Sequence, residues 1–147
     1  MAGMKVDDQV DELGSTVGET LLTPTRLYPQ PIRDVLSEFP ANEAVRAISH
    51  ITGGGLHENL ARVLPKTVRS IIKKNSWEVP PVFGWLQKLG EVEPNEMDRV
   101  FNMGLGLVLS VDPSSADSIA AKLNDVGFQT WTIGRVEEGD GTSVWEE

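Results

Sequence analysis

The sequence predicts a layered α/β or α+β sandwich built as one domain. Three observations predict it. Short β-branched runs alternate with segments whose apolar residues recur every three to four positions. The 147 residues are 39 % hydrophobic and 24 % charged, which is enough to bury one core and lies outside collagen-like, low-complexity or disordered composition. Cysteine is absent. That excludes a disulfide scaffold, a thiolate nucleophile and a cysteine-ligated metal, and it fits a reducing compartment.

Residues 1–20 read as an acidic arm or linker, because Gly14, Gly18 and five acids among few apolar residues give no stable helical face. Thr23 to Pro31 reads as extended: Pro24, Pro29 and Pro31 lack the amide donor and disfavour helix before them. Pro31 suits the first turn of a helix over about Ile32 to Phe39. Ile32, Val35, Leu36 and Phe39 form its apolar stripe, and Pro40 ends it. Val45 to Ile51 reads as a short strand running into Thr52-Gly53-Gly54-Gly55. A helix over about Leu56 to Leu64 follows, with Leu56, Leu60, Val63 and Leu64 on one side, and Pro65 stops it. Val68 to Lys73 reads as a strand. Pro80-Pro81 opens a helix carrying Val82, Phe83, Leu86 and Leu89, with Gly90 as its C-terminal stop. Pro94 starts a shorter helix to about Phe101. Gly104 to Val111 reads as a buried strand. Asp112 to Ser115 offers an N-cap to a helix carrying Ile119, Leu123 and Val126 and ended by Gly127. Phe128 to Val136 reads as the last strand, and the acidic end from Glu137 as frayed. The folded domain is therefore expected over residues 21–138, with 139–147 an acidic tail.

The net charge of −9 sits at the ends: residues 1–20 and 135–147 each carry −4, and residues 21–134 carry −1. A near-neutral middle argues against non-specific nucleic-acid binding, which needs a basic field. It leaves room for one small phosphorylated ligand held by backbone amides. No apolar run approaches the roughly 20 residues that span a bilayer, and the N-terminal residues lack an apolar signal core. A cytoplasmic chain without nucleic-acid or membrane partners is the expectation.

The strongest local signal is Ser49-His50-Ile51-Thr52-Gly53-Gly54-Gly55-Leu56. It sets three glycines between a strand and the first turn of a helix. Glycine lets backbone amides approach a ligand without a Cβ in the way, and a helix start adds unpaired N–H groups and a partial positive charge that suit phosphate. A tight strand-to-helix turn without a ligand reads equally well. The spacing matches neither a dinucleotide-binding nor a P-loop fingerprint. His50 borders the loop, where it can contact an anion or move a proton, or simply pack on its strand. His57 reads as an exposed helix residue. Two histidines seven residues apart without a third ligand make a poor metal site, so no metal ligands are expected. Asn102-Met103-Gly104-Leu105-Gly106 forms a second signal, either a ligand contact or a turn before a strand.

Several ordered blocks resemble one family. They are Leu21-Leu22-Thr23-Pro24-Thr25-Arg26-Leu27-Tyr28, His50-Ile51-Thr52-Gly53-Gly54-Gly55-Leu56 with Glu58-Asn59-Leu60 and Arg62-Val63-Leu64-Pro65, Ser76-Trp77 with Pro80-Pro81-Val82-Phe83, Glu96 through Gly106, and Ile133-Gly134-Arg135-Val136. Together, over about residues 10–138, they resemble the C-terminal domain of the aminoimidazole ribonucleotide synthetases, or phosphoribosylformylglycinamidine cyclo-ligases.

The resemblance implies a three-layer, partly ferredoxin-like domain and an enzyme of roughly twice this length. That family uses ATP to activate the formyl-derived amide oxygen of formylglycinamidine ribonucleotide, then closes the imidazole ring with loss of phosphate, in purine biosynthesis. ATP and magnesium belong to the complete enzyme and to an N-terminal domain with no counterpart here. The implied partners are that missing domain or a second subunit, within a homodimeric parent, and the chain alone is expected to be inactive. Carried over by position, His50 is the expected catalytic residue. Thr52, Gly53, Gly54, Gly55, Asn59, Asn102, Gly104 and Gly106 are the expected substrate or phosphate contacts. Two alternatives stay open: a free-standing phosphate-ligand binding module, and a fragment of a related ATP-using enzyme of thiamine-phosphate kinase, selenophosphate synthetase or hydrogenase-maturation type.

Overall fold

A computed structural model describes residues 3–146. Strands β1 (Gln9–Val10) and β2 (Ser15–Thr16) form an antiparallel hairpin that leads into helix α1 (Val17–Leu21). Thr16 caps that helix by accepting from the Glu19 amide, while the Glu19 carboxylate accepts from the Thr16 amide, a reciprocal box that satisfies two orphan donors. The segment read as an unstructured arm is therefore folded. Val10 and Val17 are buried against Trp85, so two valines suffice where no periodic stripe exists.

The rest runs α2 (Pro29–Glu38), β3 (Val45–His50), α3 (Gly55–Val63), β4 (Val68–Ile72), α4 (Pro81–Gly90), α5 (Pro94–Val100) and β5 (Leu107–Val111). A 3₁₀ turn at Pro113–Ser115, α6 (Ala116–Asp125), β6 (Gly134–Glu138) and β7 (Ser143–Trp145) complete it. The architecture is α+β. Strand β3 pairs antiparallel with β5, His50 opposite Leu107, with a register shift between Val45 and Ala47. Strand β4 lies between antiparallel β6 and parallel β7.

Two cores position the site. Helices α2 and α6 cover the β3–β5 pair through Val35, Val45 and Ile119, with Leu36, Ile48 and Leu123 packed around them. The second core joins the two sheets: Ile51, Leu56 and Leu60 from the α3 side meet Ile72, Leu105 and Ile133. Among the described residues no helix is long and apolar enough to cross a membrane.

Four expectations shift. Helix α2 starts at Pro29, not after Pro31, because the Ile32 amide already bonds to the Tyr28 carbonyl at 3.1 Å and both prolines sit where no intrahelical donor is required. The left-handed stop of α4 is Glu91, at φ +50, and not Gly90. Residues 128–133 form no strand: the Asn124 side chain accepts from the Thr130 amide, and Phe128 turns toward Tyr28. The acidic end is not frayed. Strand β7 lies on β4, the Glu146 amide bonds to the Ile72 carbonyl at 2.7 Å, and Trp145 packs against the second core.

Candidate functional site

The triple-glycine loop lies between β3 and α3, and its three glycines have different work. Gly54 and Gly55 take φ of +99° and +61°, the left-handed region that favours glycine. A Cβ on Gly55 would overlap the Asp98 carbonyl on α5, so this glycine lets α3 and α5 close together. A Cβ on Gly53 would meet nothing within 4 Å, so Gly53 faces open space.

Asn59, buried one turn into α3, holds the loop. Its Nδ2 donates to the carbonyls of Thr52 (3.3 Å), Gly53 (3.3 Å) and Gly55 (2.7 Å). In a trans peptide the carbonyl and the next amide point opposite ways. With the Thr52 and Gly53 carbonyls turned onto Asn59, the amides of Gly53 and Gly54 point away from it, and neither has a hydrogen-bond acceptor among the described residues. Two successive outward amides at a helix N-terminus form a concavity suited to an anion. Asn59 thus shapes the loop from behind.

The second segment runs alongside. The Ile51 amide bonds to the Gly106 carbonyl at 3.0 Å, which ties the end of β3 to residues 102–106. The Asn102 side chain is spent on the turn itself, accepting from the Gly104 amide at 3.0 Å. Met103 and Gly104 are left-handed, at φ +49° and +95°, and a Cβ on Gly104 would run into the Pro80 ring. Met103 gives its carbonyl to Trp77 Nε1 at 3.0 Å. Gly106 has no room for a side chain because the Tyr28 hydroxyl fills the space.

His50 is exposed at the end of β3, and its ring meets Tyr28 edge-on at 6.1 Å. Tyr28 lies 5.8 Å from Phe128, over which Arg26 stacks at 5.6 Å while its Nη1 donates to the Gly127 carbonyl. The structure therefore brings Arg26 and Tyr28 to the His50 side of the site. Residue reasoning alone missed both. The signal was there in Thr25-Arg26-Leu27-Tyr28, an exposed basic and aromatic pair in a segment too proline-rich to be core.

His57 is not an exposed helix residue. Its Nδ1 is 2.8 Å from the Ser143 hydroxyl, its ring stands perpendicular to Trp145 at 4.5 Å, and its Nε2 is buried without a partner. Burial pushes its pKa below the usual histidine value, and Lys74 adds to that while Asp98 opposes it. A shallow cleft of about 320 Å³ opens beside it, lined by Gly54, Glu58, Asp98, Arg99 and Trp145. Among the described residues no group of three or more His, Asp or Glu side chains is arranged to hold a metal ion.

Comparisons with known proteins agree on one family. The family described as AIR synthase related protein, C-terminal domain, matches residues 1–146. A phosphoribosylformylglycinamidine cyclo-ligase of Pseudothermotoga lettingae is 44 % identical over 137 residues, covering 93 % of this chain and 39 % of the relative. One of Syntrophus aciditrophicus is 39 % identical over 140 residues, again covering 39 % of the relative. The chain thus spans about two-fifths of the length of these relatives. Among solved structures, Escherichia coli HypE, a hydrogenase maturation protein, shares the fold with a TM-score of 0.60 at 18 % identity, over 95 % of this chain and 46 % of that one.

Proposed function

The chain belongs to the AIR synthase related C-terminal domain family, and on that premise we propose that it is the C-terminal half of an ATP-dependent phosphoribosylformylglycinamidine cyclo-ligase. In that role it supplies the substrate and phosphate side of the site that converts formylglycinamidine ribonucleotide to aminoimidazole ribonucleotide. The observation that carries this reading is the pair of outward amides on Gly53 and Gly54, held by Asn59 at the start of α3. They suit the phosphate of such a substrate without a basic side chain, which accords with the near-neutral middle of the chain.

The residues divide the work. Gly53 and Gly54 receive the phosphate oxygens. Thr52, exposed beside them, offers a hydroxyl. His50, three residues earlier and open to solvent, is the group positioned to contact the anion or to carry a proton. Asn59, Asn102, Gly104 and Gly106 act behind these, fixing the loop and the turn that abuts it. The chemistry of ATP is phosphoryl transfer to the amide oxygen. The residues of this chain do not form a magnesium cage, so ATP and the metal are assigned to the part of the relatives that this chain does not span, and no step is routed through them here.

The experiment is turnover. Purified chain, supplied with formylglycinamidine ribonucleotide, ATP and magnesium, is expected to release no ADP and form no imidazole product. Ring closure by this chain alone would overturn the assignment of a half-enzyme.

A further inference from the structure

The exposed apolar side chains are concentrated. Leu22 is 82 % exposed, Leu27 80 %, Val6 66 % and Leu21 54 %. Leu21 ends α1, and Leu22 caps it through its amide to the Gly18 carbonyl. Val6 lies against the same short helix: the Gly18 amide donates to the Val6 carbonyl at 2.8 Å, and Val6 fills the space beside Gly18. Val6, Leu21 and Leu22 therefore lie around one small element. From Leu22 the chain runs on without regular structure to Leu27, and the amides of Thr25, Arg26 and Leu27 have no backbone acceptor among the described residues. Such a run, apolar and unpaired, is what a protein surface seldom leaves open unless something covers it.

We infer that this face, Val6 with Leu21, Leu22 and Leu27, is the seat of the polypeptide corresponding to the remainder of the cyclo-ligase relatives, bound through an apolar surface bordered by Lys or Arg. The inference rests on the half-enzyme reading above. Three observations select the occupant. The chain spans only 39 % of the relatives, and the family it matches is their C-terminal domain, so in those proteins the remainder precedes it. Residues 3–6 run beside α1, so a preceding domain is delivered to Leu21 and Leu22. Residues 1–20 carry five acids against one Lys, a border that favours a basic rim opposite.

The test mixes the full chain with the separately produced upstream portion of the Pseudothermotoga lettingae relative, read by sedimentation and titration calorimetry. The expected result is a one-to-one complex. Leu22→Ser with Leu27→Ser weakens it at least about tenfold, and the melting temperature of the chain alone is unchanged. Val136→Ser, an equally simple truncation on β6, leaves affinity as it was. A complex of unchanged affinity with the double variant overturns this docking face and leaves the half-enzyme reading intact. A dimer of the chain itself that the double variant dissociates assigns the face to a second copy and overturns the inference. No complex at all overturns both.

Discussion

Gly55 carries the tightest approach in the loop, with α5 backbone where its side chain would be. Gly55→Ala forces a left-handed alanine into the Asp98 carbonyl and is expected to cost about 2–4 kcal/mol in denaturant unfolding. Gly53→Ala, pointing into open space, is expected to stay within about 0.5 kcal/mol of the parent. Equal losses at both positions would contradict this division. His57 sets a pH dependence. Burial holds its folded pKa below its unfolded value of about 6.5, so the folded state favours the neutral ring. Its stabilising share is complete above that value and is lost as pH falls from it toward the lowered one. Unfolding midpoints of the parent should therefore fall between pH 7.5 and 5.5, and His57→Gln should flatten that slope. Parallel profiles would sink the argument. The triple glycine was legible as a loop from composition. The inequality of its members was not, because it depends on α5, which lies some forty residues further along the chain.

At the scale of elements, α2, α3, α4 and α6 could be read because each carries an apolar stripe at helical spacing and a proline or glycine near one end. The two hairpin strands and β7 could not. Each is two or three residues long, too short for alternation to register, and each sits among acids that suggest solvent. Strand β7 is nonetheless tied in at both ends of its function: Ser143 meets His57, and Trp145 meets both His57 and Trp77. An ion pair between Arg135 and Glu146 lies at the surface beside it. Exposed pairs of this kind contribute little, so the aromatic contacts dominate. Trp145→Ala is expected to lower stability by about 2–3 kcal/mol, with faster amide exchange along β4 on its β7 edge. A change below about 0.5 kcal/mol would mean that β7 is an ornament on the sheet.

Across the whole molecule, the acidic ends frame a nearly neutral body, and both ends take part in the fold. The sandwich class was legible from the alternation of elements, and the family from ordered blocks spread over most of the chain. The small hairpin and the covered His57 arise from contacts between residues far apart in sequence, which periodicity does not report. The fold shared with HypE at 18 % identity bears on architecture alone, whereas the loop bears on ligand. The most direct measurement is calorimetric titration of the chain and of Gly53→Ala with formylglycinamidine ribonucleotide. The account predicts saturable binding by the parent, with affinity reduced at least about tenfold in Gly53→Ala at an unchanged melting temperature. Equal affinity in both, or no binding by the parent, would contradict the claim that the outward amides of this loop hold the substrate phosphate.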